Sequence, residues 1–280
     1  MKILTVLLLC LLCGNASAQI NCNFYKEQNQ TECYTACLKA LRATSLQGTG
    51  VSQHLFDEAI SLCPSLDYAY FEKAVPYLKR GLFLEWRQLI DRAVYFNPIG
   101  YLGYRGWCRF QFLRDYRGAL EDIVLLDSLT EGNIGYSQNG DYHLNTVRSL
   151  CHRALGEKVL AIEVLEKQLQ SPAYSPGPYD YLHLGIMKIQ TGHASLGLKL
   201  LLKQKEINPY LAESHYYVAV AMLQLDQIED AKNHLNRAQE LYSKGYRMTD
   251  PYTHPVDKIF QDDITNLSKR IDSSDRSHRP

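Results

Sequence analysis

Nine histidines, eight cysteines and several adjacent acidic pairs are the side chains in this 280-residue sequence that could do chemistry. Two cysteines, Cys10 and Cys13, lie in the first apolar run, which leaves Cys22, Cys33, Cys37, Cys63, Cys108 and Cys151. None forms a C-x-x-C pair, and Cys151 and His152 are neighbours that point apart on a helix, so no zinc motif is present and no metal is expected. An even number in an exported chain points to disulfides instead. His152, His183, His215 and His234 fall singly on predicted helices, where a lone histidine is usually a surface or a satisfied core group. Glu121-Asp122, Glu229-Asp230 and Asp262-Asp263 diverge around a helix and read as solvated faces rather than as paired acid and base. Nucleophile elbows and histidine pairs at metal spacing are missing. Asn133, Asn139 and Asp141 offer oxygen donors but not at the spacing of a twelve-residue calcium loop. The expectation is therefore no catalytic residue, no cofactor and no enzyme.

What remains is a chain built to hold something. Thirty basic and thirty acidic side chains cancel, so there is no surplus positive charge to attract a nucleic acid. Twenty tyrosines against eight phenylalanines suit half-buried grooves, since each offers an apolar body with a polar tip. The opening reads as a secretory signal peptide, residues 1–18: Met1-Lys2, an apolar run from Ile3 to Cys13, then Gly14-Asn15-Ala16-Ser17-Ala18. Cleavage is expected after Ala18, leaving Gln19 first in a periplasmic or secreted protein. Lipid attachment at Cys13 is the lesser reading, because Leu12 is a poor substitute for the small residue that processing requires. No later segment approaches the roughly eighteen apolar residues of a membrane span, and peripheral attachment to an envelope stays open.

The elements that carry these residues repeat. Pro64 and Pro98 lie thirty-four positions apart, as do Ala59 and Ala93, Gly185 and Ala219, and Leu201 and Leu235. The segments "DYAYFEKAVPYLKRGLFLEWRQLIDRAVYFNP", "PYDYLHLGIMKIQTGHASLGLKLLLKQKEINP" and "AESHYYVAVAMLQLDQIEDAKNHLNRAQELYS" carry a large residue, a small residue, a mid-repeat turn and a closing Pro or Ser at matching places. That pattern resembles the tetratricopeptide-repeat family. More narrowly, "VPYLKRG", "LGYRGWCRF", "RDYRGALEDI", "IGYSQNGDYHLN" and "DPYTHPVDKIF" resemble a group of tetratricopeptide proteins from Bacteroidota such as flavobacteria. The resemblance implies an all-α, right-handed α-solenoid of about six helix pairs, with a C-terminal capping helix.

In this register Gly185, Ala219 and Ala74 allow helix B close to helix A, and Gly81, Gly156, Gly192 and Asp226 end the A helices. Ala93, Ala161 and Ala238 are the small residues of helix B. Gly106 and Ala119 are thirteen apart rather than twelve, which predicts one extra residue in the turn of the third unit. Pro76 falls inside an A helix and should bend it. The expected organisation is an arm at 19–30, repeats over 31–243, a capping segment at 244–272 and a disordered tail at 273–280.

Solenoids of this kind line a concave groove with their A helices. The groove candidates are Tyr68, Phe71, Val75 and Leu78 of the second unit, His143 and Arg153 of the fourth, Tyr179, Leu182 and Ile186 of the fifth, and Tyr216, Val220 and Gln224 of the sixth. Such an apolar, aromatic surface suits an extended peptide or a helix of a partner protein. Clamping of a carboxylate tail by Lys and Asn, as in some related repeats, is not expected from these apolar faces. The alternative is a carrier or sensor that binds a small molecule or glycan through groove tyrosines. The insertion at 130–142 offers Tyr136, Gln138, Asn139 and Asp141 as a recognition loop or as a plain crossover, with Asp141 a possible N-cap of the next helix. For the cysteines, helix geometry favours Cys37 with Cys63 and Cys22 with Cys33, and either a Cys108–Cys151 staple or two free buried thiols.

Overall fold

A computed structural model describes residues 20–277; the expected leader, with its cleavage point and Cys13, lies outside the described residues. Among those residues the chain is built from fourteen α-helices and no named strand. Short α1 (Asn23–Glu27) sits in the arm. Six helix pairs follow: α2 (Thr31–Thr44) with α3 (Gly50–Leu62), α4 (Asp67–Lys79) with α5 (Phe83–Phe96), and α6 (Pro98–Cys108) with α7 (Tyr116–Thr130). The remaining pairs are α8 (Leu144–Ala154) with α9 (Lys158–Gln170), α10 (Asp180–Gln190) with α11 (Ala194–Ile207), and α12 (Ala212–Gln224) with α13 (Ile228–Ser243). Last comes α14 (Gln261–Ser277), so residues 273–277, expected to be a disordered tail, continue a helix.

The chain divides into two compact units, one running to Tyr77 together with Glu85–Phe96, the other comprising Leu78–Leu84 and everything from Asn97 onward. In the first unit the α2–α3 hairpin closes on an alanine stripe. Ala36, Ala40 and Ala43 share one face of α2 and are fully buried against Phe56 and Ala59 of α3. Buried Ser52 donates its hydroxyl proton to the Ala43 carbonyl at 2.9 Å, so the one polar group in this contact has a partner.

The cysteines pair differently from the expectation. Cys22 is bonded to Cys37 and Cys33 to Cys63, with Cα separations of 5.5 and 4.9 Å. The reason is hairpin register. Two antiparallel helices place the start of one beside the end of the other. Cys33, in the first turn of α2, is therefore level with Cys63 just past α3, while Cys37 lies one turn deeper and faces the arm that carries Cys22. Cys108 and Cys151 are free and buried. Burial pushes both thiols up in pKa, which keeps them protonated and unreactive.

In the second unit each helix packs on its neighbours in sequence, and the A helices α6, α8, α10 and α12 also touch one another in a row. The closest approach is in the fifth pair. A Cβ on Gly197 would stand 2.7 Å from the Gly185 carbonyl oxygen, and one on Gly185 would stand 2.8 Å from Leu201 Cγ. The A helices end as expected in left-handed residues, with Gly156 and Gly192 at φ +85° and +83° and Asp226 taking the same place at +57°. In the third pair the extra residue is not in the turn. Helix A absorbs it as a π-helical segment, Arg109–Leu113, and the turn is closed by Arg114 at φ +56°. The final helix covers the last pair with Ile264, Leu267 and Ile271, all buried against α12 and α13.

Two outcomes test this description. Non-reducing peptide mapping should recover Cys22 linked to Cys37 and Cys33 linked to Cys63, and loss of the thirty-residue Cys33–Cys63 loop should cost about 3–4 kcal/mol of unfolding free energy. Gly197→Ala should destabilise the chain by about 1–3 kcal/mol in urea titration, because the new methyl meets the Gly185 carbonyl oxygen, which cannot move aside, as well as Ile189 Cγ1. Helix propensity alone predicts the opposite sign, by about 1 kcal/mol.

Candidate functional site

The segment after α13 is not helical and is not free. Gly245 at φ +82° ends the helix, and Pro251 and Pro255 withhold two backbone donors that a continuing helix would use. Residues 246–260 instead form a strap across the A helices of the second unit. The strap begins where the Tyr246 carbonyl accepts the Ala212 amide proton at 2.9 Å, beside the start of α12. Its base is gripped by one side chain. Glu213, fully buried on α12, accepts the Met248 amide proton at 3.1 Å on each oxygen and the Ile259 amide at 3.4 Å. Burial pushes this carboxyl up in pKa, and the backbone amides and Lys258 offset part of that.

Between those two anchors the strap loops over the neighbouring helices. Gln111 in the π-helical segment donates to the Thr253 hydroxyl at 2.7 Å, and Arg114 donates to the His254 carbonyl. The tip is stiffened by Asp250, whose Oδ1 accepts from the amides of Tyr252 and Thr253, both at 2.8 Å. Asp257 then turns its carboxylate onto two A helices at once. Arg153 of α8 holds it with two hydrogen bonds, 2.9 and 3.0 Å, and His183 of α10 lies 2.6 Å away through Nδ1. Burial raises the Asp257 carboxyl, but the guanidinium and the imidazole outweigh it and hold it below the usual carboxylate range. The backbone meets this geometry at φ +66°, an uncommon conformation for a side chain other than glycine.

The expected groove residues are distributed around this strap. Arg153 holds it directly. Leu182 and Ile186 are buried in one cluster with Met248, and Tyr216 and Val220 pack against the cluster that contains Ile259. Tyr179 lies beside Tyr142 with the rings tilted and their centroids 5.9 Å apart, and Gln224 ends α12 exposed. His143 caps α8, its Nδ1 accepting the Asn145 amide proton, which removes Asp141 from that role. On α4, Tyr68 is buried with its hydroxyl 3.1 Å from that of Thr44, Leu78 is buried, and Phe71 and Val75 are half-buried. Thus the A-helix surface of the second unit carries the protein's own chain.

The insertion at 130–142 is folded rather than a plain crossover. Ser137 donates its amide proton to the Tyr142 carbonyl at 2.8 Å, Leu144 donates to Gly135 at 3.0 Å, and buried Ile134 and Tyr142 anchor the loop. Of the recognition candidates, Tyr136, Gln138 and Asn139 are exposed. Asn139 is committed to Ser137 and Asp141, and the Tyr136 ring stands on edge to His143. The Asp141 carboxyl is raised by burial and by the nearby Asp250 carboxylate of the strap.

Several polar residues with structural weight escaped the sequence reading. Asp122, expected to be solvated, is buried and held by Arg105 at 2.6 Å and Arg109 at 3.0 Å, while its neighbour Glu121 is exposed. His183 is fully buried. His215 and His234 are not lone histidines but face one another Nδ1 to Nδ1 at 3.1 Å, with stacked rings. Two neutral rings can share that contact, one donating and the other accepting; a second proton would set two N–H groups head to head. Burial and the Lys205 charge lower both histidines, His215 to about 4, against weaker opposing pulls from the Pro209 backbone and Asp230. Among the described residues no group of three or more His, Cys, Asp or Glu converges as a metal site would require.

Neither a protein-family model nor a curated protein matches the sequence. Solved structures match the fold. A tetratricopeptide repeat protein from Parabacteroides merdae aligns over 88% of this chain and 88% of its own, at 12% identity and a TM-score of 0.62. PilW, a widely conserved type IV pilus biogenesis factor, aligns over 75% of this chain and 94% of its own, at 15% identity and a TM-score of 0.59. MamA from Desulfovibrio magneticus RS-1 aligns over 64% and 96%, at 17% identity and a TM-score of 0.53. The chain has the tetratricopeptide-repeat fold.

The histidine pair makes stability depend on pH. Groups whose folded pKa is depressed below the usual 6.5 stabilise fully above that value and less as pH falls from about 6.5 toward 4. His215 should account for about 2–3 kcal/mol of the loss between pH 7 and 4.5. The Asp257 contribution disappears only below about pH 4, where a depressed carboxylate takes its proton. Urea titrations at pH 7 and 4.5 should show a smaller decline for His215→Phe than for the wild type, and parallel declines would sink the assignment.

Proposed function

We propose that the protein is an exported scaffold that holds a non-helical segment of a protein partner along its A helices. The observation that carries this reading is the strap itself. A non-helical stretch of backbone is held there through its amides by Glu213, through a carbonyl by Arg114 and through a side chain by Arg153 and His183. A surface that grips non-helical chain by those three means has the equipment to recognise a non-helical segment of another protein. Export is supported by two disulfides, which persist in oxidising compartments, and no helix of the described residues is long and apolar enough to cross a membrane. The groove tyrosine Tyr179, by contrast, packs on protein: Tyr142 lies beside Tyr179 and His183. That favours a protein partner over a glycan carrier.

Site-specific photo-crosslinking in the native cell separates these surfaces. Crosslinkers at Tyr179 and Tyr216 on the A helices should capture one common protein partner. Crosslinkers at exposed Val159 and Leu196 on the B helices should not. Equal capture from both faces, or none from either, would remove the scaffold reading.

A further inference from the structure

We infer that residues 248–259 are a displaceable internal ligand, and that the Arg153–His183 pair beneath them receives a carboxylate side chain of a partner's non-helical segment in place of Asp257. This rests on the scaffold reading and says what chemistry the partner must carry and what must leave first.

Three observations support exchange rather than permanent closure. First, the loop's apolar anchors lie only at its base. Met248 and Ile259 are buried, whereas Asp257 is held through its carboxylate and the other residues between them are exposed or half-buried, so the stretch that crosses the helices buries no apolar side chain fully. Segments held by a few polar contacts sit at the low end of local stability. Second, the loop is strained where it binds best, since Asp257 adopts φ +66° to place its carboxylate. Third, the loop leaves its receptor unsatisfied. Gln111 Oε1, Arg114 Nη1 and His183 Nε2 are buried without a hydrogen-bond partner, and all three belong to side chains that hold the loop through their other atoms. Buried polar atoms are normally satisfied. A receptor that matched this loop fully would not leave one orphan on each of these holding side chains.

The receiving chemistry is specific. Two donors on successive A helices, a guanidinium and an imidazole, converge on one carboxylate, and Arg153 meets it through two parallel hydrogen bonds. Gln111 and Arg114 wait beside the strap positions four and three residues earlier, at Thr253 and His254. The fitting partner is therefore an acidic, non-helical segment, with polar groups three and four residues before its carboxylate. Because the internal loop is tethered, it competes at an effective concentration on the order of millimolar, and a partner's apparent affinity is reduced by the fraction of receptor the loop occupies.

The test supplies the loop in trans. A fluorescent synthetic peptide of residues 247–260 is titrated into the intact chain and into a full-length variant whose residues 249–257 are replaced by glycine and serine at equal length. The peptide should bind the replaced chain, and bind the intact chain at least about tenfold more weakly, because the intact receptor is mostly occupied. Asp257→Asn in the peptide, or Arg153→Met in the replaced chain, should each weaken binding by about tenfold or more, the effect expected from losing a charge-assisted contact. Failure to bind a replaced chain that retains its helical circular dichroism, or equal affinity for both chains, overturns the proposal. Should the replaced chain not fold, hydrogen exchange on the intact protein decides. Met248 and Ile259 amides that exchange by local opening, well ahead of the α10 core, support a displaceable loop; exchange only with global unfolding refutes it. Peptide binding without any cross-linked partner would leave this site standing and remove only the scaffold reading.

Discussion

The whole architecture rests on how near two helix backbones can come. Where Gly185 faces Gly197, the carbonyl of one helix lies where the other's methyl would be, and in the first unit the alanine stripe of α2 does similar work against Phe56. Such contacts turn twelve helices into six hairpins, and a hairpin with both helices that close still has apolar residues facing outward. Within the second unit each pair is covered by the next, and the row needs an end. At the C-terminal end α14 supplies it with Ile264, Leu267 and Ile271. In the first helix pair, cross-links take over part of a task that packing performs elsewhere.

Within that apolar frame the buried charges are few and each has partners. Asp122 between Arg105 and Arg109, and Asp257 between Arg153 and His183, are buried carboxylates each held by two cations or a cation and an imidazole. Burying such pairs contributes little net stability, because desolvation offsets attraction; what they give is a single allowed arrangement. Asp122 fixes the α6–α7 hairpin at the point where the π-helical segment disturbs its register. Asp257 fixes a segment that has no helical periodicity to register it. The Glu213 carboxylate does the same for backbone amides, and its raised pKa reflects how dry that position is.

How much could be read beforehand follows from this division. Periodicity reports packing, so the six pairs, the small residues at Gly185 and Ala219 and the left-handed ends at Gly156, Gly192 and Asp226 were visible in the spacing. Contacts between residues distant in sequence leave no such trace. His183 and Asp257 are seventy-four positions apart, and nothing local marks them as partners. The strap did leave a signal, since "MTDPYTHPVDKIF" holds two prolines and two acids before an amphipathic helix, a stretch poor in helix formers yet with too many large residues for a free linker. Hairpin register would have corrected the disulfides: Cys33 and Cys63 lie fourteen residues before and sixteen after the middle of the α2–α3 turn, near Gln47. The extra residue after Gly106 was legible as a count but not as a place, because a turn and a π-helical segment absorb one residue equally well.

The order of the cysteines along the chain has a consequence for how the bridges form. Synthesis proceeds from the N-terminus, so Cys22, Cys33, Cys37 and Cys63 emerge as a set before Cys108 has appeared. Four thiols have three ways to pair, whereas six have fifteen. By the time the later two arrive, the early bridges can already be closed, and burial then hides Cys108 and Cys151 from any oxidant. The oxidative part of folding is thereby confined to the first few dozen residues, and a thiol misplaced there would meet three competitors rather than five.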